Sequence, residues 1–297
     1  MRIRPVVFSD AAAVLQLVVA RDVADLGAAD CTLADLESEW ASSAVDLKDD
    51  ARVVQDGEAI VGYAIMHRSE ALVVVHPDAV GRGIGSELLA WSETREVDLG
   101  RTRHRRSAAA SDPAGGRLLS AAGYTTLRSY WRMRLVLDEF VPVTAPPAQI
   151  TLRELDLDGD AIAIHELAER SFATAADYNP HTFKAFREEH LAAHDVDPGL
   201  SLVAAVDGID APAGFLIAHR WTVEQTGYVG LLGVDPDHRG RGLGRALLTR
   251  AFAGFAAAGL GIAELGVASD NPRALALYRD VGMTARFQID SFERGAT

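Results

Sequence analysis

The C-terminal half of the chain shows the clearest pattern of apolar and polar positions. Apolar runs typical of strands are separated by short turns, and two segments have apolar residues three and four positions apart, as an amphipathic helix has. The predicted strands are 201–208, 213–221, 228–234, 262–268 and 284–292, and the predicted helices are 241–258 and 272–281. A meander of strands followed by helix, strand, helix and strand predicts an α/β fold with a mixed sheet.

The same order of patterns occurs in the N-terminal half, which indicates an internal repeat. Residues 75–89 (VHPDAVGRGIGSELL) and 234–248 (VDPDHRGRGLGRALL) are identical at nine of fifteen positions. At the same offset of 159 positions, 112–124 (DPAGGRLLSAAGY) aligns with 271–283 (NPRALALYRDVGM), with Pro, Leu and Gly in common. Two matches at one offset predict two copies of one domain.

A proline-rich segment marks the boundary between the copies. DEFVPVTAPPAQ (138–149) holds three prolines and has neither helical nor strand periodicity. After it, TLRELDLDGD repeats the start of the chain, RIRPVVFSD, where a short strand with an arginine leads through an acidic turn into an apolar helix. We therefore predict an N-terminal domain at 1–138, a linker at 139–149 and a C-terminal domain at 150–297.

Composition and charge narrow the class of protein. Hydrophobic residues make up 48% of the chain and charged residues 24%, as in a globular protein. The net charge of −13 argues against nucleic acid as a partner, because phosphate binding needs a basic surface, and it suits a cationic small molecule such as an amine. No stretch reaches the ~20 apolar residues of a membrane span, and the first residues lack a signal-peptide pattern.

Cysteine content bears on the compartment and on metal binding. Cys31 is the only cysteine, which excludes an intrachain disulfide and a thiolate metal cluster. A single thiol suits the reducing cytoplasm, where we expect the protein to act as a monomer or a homodimer.

The segment GRGLG at 240–244 follows a predicted strand and opens a predicted helix. Its glycines let the backbone approach a ligand, and the helix start offers unpaired N–H groups and the positive end of the dipole, which suits a pyrophosphate. A dinucleotide-binding G-x-G-x-x-G loop would need its third glycine one residue after Gly244, and a P-loop needs G-K-[ST], which both copies lack. A third pyrophosphate loop, [QR]-x-x-G-x-[GA], is matched by Arg239, Gly242 and Gly244.

This third loop is that of the GCN5-related N-acetyltransferase (GNAT) family. VDPDHRGRGLGRALL resembles the family's motif A, and NPRALALYRDVGM resembles its motif B, with Met283 in place of the usual phenylalanine. The duplicated chain is similar to the two-domain, mycothiol synthase-like members. The resemblance implies two GNAT domains in tandem and acetyl-CoA, or another acyl-CoA, as the cofactor.

The resemblance also implies roles for residues of the C-terminal domain. The pyrophosphate should meet backbone N–H groups of the glycine loop, and the pantetheine arm should lie along the end of the third strand. Tyr278 of motif B should stand beside the coenzyme sulfur as general acid for the departing thiolate. The expected cofactor-binding residues are Leu232, Val234, Arg239, Gly240, Arg241, Gly242, Leu243, Gly244, Arg245 and Asn271.

The general base is less clear from the sequence. Many relatives carry a glutamate near the start of the strand before motif A, and Tyr228 occupies that region here. An amine with a pKa near ~10 is protonated at neutral pH, so its proton must be removed. Glu224, acting through water, and Glu264 on the next strand are candidates, and a water chain without a single base is the alternative.

The N-terminal copy keeps the glycine loop but departs from the rest of the pattern. Val80 replaces the loop arginine, and Leu119 replaces the motif B tyrosine and cannot donate a proton. We therefore predict that this domain does not catalyse. Its candidate cofactor-binding residues are Val75, Gly81, Arg82, Gly83 and Gly85. Its helix after the loop carries Ser92, Glu93 and Glu96 where the other copy has Ala251, Phe252 and Phe255.

Three other segments carry polar residues that could bind a ligand. RTRHRR (101–106) has the charge to contact a coenzyme phosphate, although a solvated loop is favoured. His190 and His194 have a spacing that can grip zinc, but without a third ligand we expect surface histidines and no metal site. Acceptor specificity is expected within 172–194, where Asp177, Tyr178 and Asn179 are candidate contacts.

The sequence favours acetyl transfer from acetyl-CoA to a primary amine of a small molecule, catalysed by the C-terminal domain. A non-catalytic acyl-CoA-binding or sensor protein is one alternative, because the strand carboxylate is missing. Acyl transfer to a peptide or to a non-amine acceptor is another. The intact Tyr278 favours chemistry over sensing.

Overall fold

The computed structural model describes residues 1–42, 45–139, 148–175, 178, 180–208, 211–221 and 225–296. The chain forms two compact units. Unit 1 contains residues 1–131, 268–270 and 287–297, and unit 2 contains residues 132–267 and 271–286. Each unit therefore includes a short segment from the other half of the chain, and the sequence boundary at 139–149 stays a prediction.

Unit 1 begins with an antiparallel meander of four strands that pair in chain order. Tyr63 and Ile65 pack with the first two helices, whereas Ala64 between them packs with the helix after the glycine loop. Successive strand residues point to opposite faces, so helices cover both sides of this sheet. The strands are β1 (Arg2–Pro5), β2 (Ala51–Asp56), β3 (Ala59–Met66), β4 (Ala71–Val75), β5 (Arg103–Ala109) and β6 (Thr125–Val136), and the helices are α1 (Ala11–Leu26), α2 (Leu33–Ala41), α3 (Leu47–Asp50), α4 (Ile84–Asp98) and α5 (Pro113–Ala121).

Unit 2 repeats this order, as the sequence predicts. Its elements are β7 (Ile150–Glu154), α6 (Ala161–Phe172), α7 (Phe183–Phe186), β8 (Leu202–Val206), β9 (Gly214–Trp221), β10 (Thr226–Val234), α8 (Leu243–Ala257), β11 (Ile262–Ala268), α9 (Pro272–Asp280) and β12 (Thr284–Gly295). Its sheet has the order β6-β11-β10-β9-β8-β7, in which β10 and β11 are parallel. Phe215 packs with α6, whereas an ideal Cβ at the neighbouring Gly214 would lie 3.2 Å from Leu247 of α8, so the two helices cover opposite faces.

The closing strands of the two copies exchange partners. In unit 1, β5 pairs antiparallel with the second part of β12, from Ala109 opposite Ile289 to Arg103 opposite Gly295. In unit 2, the end of β6 lies beside β11, and the Leu137 N–H donates to the Gly261 carbonyl over 2.9 Å. The sequence predicts β12 as a strand, but its apolar pattern contains no sign of its partner.

The repeated start of each copy contains a matching ion pair. Arg4 on β1 donates to Asp10 at the start of α1 over 2.7 Å, and Arg153 on β7 donates to Asp160 at the start of α6 over 2.6 Å. The arginine hydrogen bond holds the pKa of each carboxyl below its usual range. The arginine and the acidic turn noted in the sequence thus fix the angle between strand and helix in both units.

The basic run RTRHRR is not a solvated loop, so that expectation is wrong. It leads into β5, where the side chains of His104 and Arg106 are each only 2% exposed. The carboxylate of Glu96, on α4, accepts hydrogen bonds from both. Strand alternation turns these two basic residues inward, and the acidic partner that allows their burial lies on another element.

Candidate active site

Strand β10 separates from its neighbour β11 part-way along its length. Thr226–Val229 pair with Ile262–Leu265, whereas on its other side β10 pairs with β9 as far as Val234. A bulge between Val229 and Leu231 marks the point of separation. Among the described residues, none of β11 pairs with the end of β10. The backbone edge of Leu232 and Val234 is therefore available to an extended ligand.

The glycine loop joins the end of β10 to α8. Gly240 and Gly242 have φ angles of 81° and 85°, a left-handed conformation that other residues adopt only under strain. Gly242 occupies the N-cap position of α8, and no side chain caps this helix. The N–H groups of its first turn are thus directed to the loop, where an anion can accept from them.

The arginines of the loop have defined partners. The Arg239 guanidinium donates to the Ser171 carbonyl over 2.7 Å, which ties the loop to the end of α6. Arg245 donates to Asp280 on α9 over 2.9 Å. The Arg239 side chain therefore braces the loop, and the Arg245 side chain links the two motif helices.

Helix α9 carries Tyr278 and follows its N-cap residue Asn271, whose side-chain oxygen accepts from the Ala274 N–H over 3.1 Å. Gly244 lets this helix approach α8, since an ideal Cβ there would lie 3.1 Å from Leu277. Tyr278 is 8% exposed, and burial together with the nearby Tyr228 raises the pKa of its phenol to about 12. In the described residues its hydroxyl makes no hydrogen bond, so its proton is available to a ligand.

Tyr228 lies on β10 just before the bulge. Its ring stacks on that of Trp221 with centroids 4.1 Å apart, and the Arg132 guanidinium lies 4.8 Å from its centroid. A phenol differs from the carboxylate that the family resemblance leads one to expect near this position, so a strand base has to be sought at another residue.

Neither glutamate named from the sequence is established as a base. Glu264 is only 1% exposed and lies between two guanidinium groups, 2.6 Å from Arg134 and 2.9 Å from Arg286. Both guanidinium groups contact the same oxygen, Oε1, so this buried carboxylate is engaged by groups of the protein. Glu224 lies outside the described residues.

Sequence reasoning missed a histidine–aspartate pair on the neighbouring strand. His219 of β9 is the cross-strand partner of Tyr228, and its Nδ1 lies 2.9 Å from Oδ1 of Asp195. The Trp221 indole N–H donates to the other carboxylate oxygen over 2.9 Å. The available signal was the alternation of His219 and Trp221 on one face of a predicted strand, but Asp195 lies in a segment without periodicity.

The segment expected to set specificity holds several histidines. The Tyr178 hydroxyl donates to Glu169, whereas Asp177 and Asn179 lie outside the described residues. His181 lies 3.5 Å from Glu189, and His190 lies beside both. One nitrogen or oxygen atom from each of these three side chains lies within 4.8 Å of the other two, a grouping that does not include His194 and that the spacing of His190 and His194 did not indicate.

Unit 1 encloses a cavity of about 760 Å³ beside its own glycine loop. Gly81 and Gly83 have φ angles of 84° and 83°, as in the loop of unit 2. The cavity is bordered by the end of β4, the loop, and the position equivalent to Tyr278, which is the buried Leu119. Of the candidate cofactor-binding residues, Val75, Gly81, Gly83 and Gly85 line it, whereas Arg82 pairs with Asp56 over 2.6 Å.

The far end of this cavity is acidic. Burial raises the pKa of Asp22 to about 6, and burial with four nearby carboxylates raises the pKa of the Cys31 thiol to about 12. A thiol that stays protonated is a poor nucleophile, so Cys31 has no reactive character here.

Comparison with known proteins places these features in a family. Residues 161–283 match the acetyltransferase (GNAT) family. A mycothiol acetyltransferase of Thermobispora bispora is 31% identical over 262 residues, which cover 82% of this chain and 82% of that protein. A second, from a Nocardioides species, is 30% identical over 240 residues, with 75% and 79% covered. The chain belongs to the GNAT acetyltransferase family.

Solved structures of GNAT proteins share this arrangement over nearly the whole chain. A GCN5-related N-acetyltransferase from Sphaerobacter thermophilus has a TM-score of 0.84 at 26% identity, covering 99% of this chain and 95% of that one. A tandem GNAT protein from the clavulanic acid biosynthesis pathway has a TM-score of 0.78 at 21% identity, covering 100% and 98%. The sequence prediction of a mixed α/β fold built from GNAT domains in tandem is thus confirmed.

GNAT membership makes the protein an N-acetyltransferase that uses acetyl-CoA. The backbone geometry of the described residues suits acetyl-CoA. The uncapped start of α8, two left-handed glycines and the open edge of β10 offer backbone donors to a pyrophosphate and a ladder to an extended amide chain. None of the described helices of this GNAT chain combines the length and apolar character needed to span a membrane.

Proposed function

We propose that the protein transfers the acetyl group of acetyl-CoA to a primary amine of a small molecule, and that unit 2 carries out the reaction. The observation that supports this most is the contrast at one aligned position. In unit 2 this position is Tyr278, a buried phenol whose hydroxyl makes no hydrogen bond among the described residues. In unit 1 it is the buried Leu119. Only the former can donate to a leaving thiolate.

Binding in unit 2 is assigned to backbone groups. The N–H groups from Arg239 to Arg245 would hold the pyrophosphate, with the Leu243 side chain buried beneath them. The edge of Leu232 and Val234 would pair with the pantetheine amides. When bound, acetyl-CoA supplies an activated thioester, and Asn271 caps the start of α9 by accepting from the Ala274 N–H.

Tyr278 is proposed to stabilise charge on the leaving sulfur. A phenol with a pKa of about 12 remains protonated throughout the neutral range, so the donor is always present. A thiol is the stronger acid, with an ordinary pKa of about 8.5. Tyr278 therefore acts by hydrogen bonding to the thiolate, and complete transfer of its proton is not needed.

Thiol release from acetyl-CoA with a panel of primary amines tests the proposal. Tyr278→Phe should lower kcat by about 10²-fold or more, the scale of one lost proton donor, and leave acetyl-CoA affinity in calorimetry unchanged. Leu119→Phe is the matched change in unit 1 and should leave kcat unaltered. Equal loss of turnover and binding in Tyr278→Phe would contradict the role.

The cavity of unit 1 supports a second coenzyme site, lined by Val75 and the loop glycines. Calorimetry should then give two sites for each chain. Gly83→Val should remove one site and keep activity, whereas Gly242→Val should remove the other together with activity, because valine cannot adopt the left-handed conformation without strain. A single site that survives Gly83→Val would leave unit 1 with a structural role.

The acceptor is proposed only as a class. Relatives at about 30% identity are mycothiol acetyltransferases, but Tyr228 replaces a glutamate that many of the family carry, so the acceptor need not be the same. The net charge of −13 favours a cationic molecule. Action in the cytoplasm, as a monomer or homodimer, remains part of this proposal.

A further inference from the structure

Resting on the function proposed above, the structure assigns the role of general base to His219, with Asp195 as its positioning residue. The acceptor ammonium must lose a proton before its nitrogen can attack. The strand glutamate of the family is a tyrosine here, and Glu264 is held by two arginines. His219 lies one strand away from the position of the missing carboxylate, directly opposite Tyr228.

The hydrogen bonds around Asp195 determine which imidazole nitrogen can act. A carboxylate only accepts, so the Nδ1 atom that lies 2.9 Å from Asp195 Oδ1 carries hydrogen. In the neutral ring Nε2 is then the acceptor. The second oxygen of Asp195 accepts from Trp221, which keeps the carboxylate from turning away from the ring. The pair therefore presents one lone pair, on Nε2.

That lone pair lies at the separation of β10 and β11. Gly230 is the bulge residue of β10, and an ideal Cβ there would overlap with Nε2 of His219. A glycine at this position thus makes room for the imidazole at the start of the open edge. The acyl donor is proposed to pair with the same edge, at Leu232 and Val234.

Backbone bonds hold the pair in place. The Arg220 N–H donates to the Asp195 carbonyl over 2.8 Å, and the Asp197 N–H donates to the Ala218 carbonyl over 2.9 Å, so the segment acts as an extra strand beside β9. The side chains of His219 and Asp195 are 13% and 16% exposed, which leaves the ring within reach of a ligand. An ordered, half-buried pair is preorganised for proton transfer.

The charges around the ring come from several elements. Burial opposes the ionisation of Asp195, but hydrogen bonds from His219 and Trp221 hold the pKa of Asp195 below its usual range. His190, whose pKa burial lowers, faces it from the helical segment. Tyr228 lies beside it on β10, with Arg132 above that ring. Among these groups, the carboxylate of Asp195 is therefore the anion that His219 contacts directly.

The proton balance is simple. A proton passes from the acceptor ammonium to Nε2, and the nitrogen gains the lone pair that it needs. The amide C–N bond forms as the thioester C–S bond breaks, and the electron pair leaves on sulfur. The second nitrogen proton goes to the thiolate through solvent, and the imidazolium returns its proton to water.

Acetylation by the full-length protein, followed as kcat/KM against pH with an amine found by the panel, tests the assignment. His219→Gln should lower kcat/KM at pH 7 by about 10²-fold or more, remove the acid limb of the profile and leave acetyl-CoA affinity unchanged. Asp195→Asn should lower it less, because the imidazole remains but the carboxylate that fixes hydrogen on Nδ1 is gone. Arg220→Gln is the control, because this side chain points to the opposite face of β9 from His219 and pairs with Asp197 over 2.9 Å at the surface, and the variant should resemble wild type.

The outcomes separate the base from a structural role and from the proposed function. Activity of His219→Gln within threefold of wild type, with its acid limb intact, would overturn the assignment. Equal loss of acetyl-CoA binding in both variants would do the same. If wild type binds acetyl-CoA but acetylates no amine, the proposed function fails. Nitrogen-15 spectra of histidine-labelled protein then still decide whether His219 carries hydrogen on Nδ1 and whether Asp195→Asn abolishes that preference.

Discussion

Helices α4 and α8 follow the two glycine loops and are each 15 residues long, yet their buried faces differ in chemistry. In unit 2, Phe255 on α8 and Leu265 on β11 are both buried. At the aligned positions of unit 1 stand Glu96 and Arg106, joined by a hydrogen bond of 3.0 Å. The two copies thus differ at both positions, with apolar residues in one core and an ion pair in the other.

The ion pair belongs to a larger buried network. The Glu96 carboxylate also accepts from His104 over 2.7 Å and from Arg101 over 3.3 Å, and Ser92 accepts from Arg106 over 2.7 Å. A buried charge is tolerated only when its partners satisfy it, so these residues depend on one another. The comparison teaches that polar residues on the buried face of a helix are compatible with a packed core when other elements supply their partners.

The largest expected effect comes from removing the shared carboxylate. Glu96→Ala should lower the free energy of unfolding by about 3–5 kcal/mol, because Arg106 would be left charged and buried. Urea denaturation of the full-length chain measures it. Phe255→Ala is the matched change in unit 2 and should cost about 3–5 kcal/mol through a cavity instead.

A second prediction tests whether charge alone explains the difference between the two units, by giving unit 1 the apolar residues that unit 2 has at these positions. Glu96→Phe combined with Arg106→Leu and His104→Ala copies unit 2, and replacing a buried network as a whole is often neutral or stabilising. We expect stability near or above that of wild type. A triple variant as unstable as Glu96→Ala would show that backbone geometry, and not charge, separates the two units.

A smaller effect is expected at the start of the motif B helices. Asp112 accepts from the N–H groups of Ala114 and Gly115, each over 3.1 Å, and Asn271 accepts from Ala274. Replacing either cap by alanine should cost about 1 kcal/mol, while Asp112→Asn should be nearly neutral. Thermal unfolding checks both, and a large cost for Asp112→Asn would mean that the two caps are not equivalent.

The smallest expected effect concerns acid stability. The lowered pKa of Asp10 and Asp160 means that each pair stabilises the fold above the ordinary carboxyl pKa, and that this contribution is lost as pH falls through the lowered value. Asp160→Asn should cost about 0.5 kcal/mol at pH 7, since the pair is partly exposed, and nothing once wild-type Asp160 is itself protonated. A cost that persists in acid would indicate packing, not charge.

Much of the fold follows from local pattern. The strands and helices of the C-terminal half were predictable because each has one periodic apolar face, and the repeat extended them to the other half. The partner of β12 and the burial of Arg106 were not, because both depend on residues far away in sequence. The periodicity of apolar residues shows which face of an element is buried, but it does not show which other element covers that face.

The residues of the candidate site also differ in how far the sequence alone could reveal them. Gly242, Gly244 and Tyr278 were found because their motifs are contiguous, while their assigned roles stay predictions. His219 and Asp195 were missed because they lie 24 residues apart, in a strand and an irregular segment. Only the sheet register, which sets His219 opposite Tyr228, brings them to one place.

The exchanged strand also constrains how the protein is made. Arg103 and Glu293 form an ion pair across 190 residues of sequence, within the ladder of β5 and β12. During synthesis, β5 therefore emerges from the ribosome long before its partner exists and keeps an exposed hydrogen-bonding edge for most of translation. A nascent chain in that state is open to pairing with a second copy, and correct folding depends on delaying that encounter until the last strand has been made.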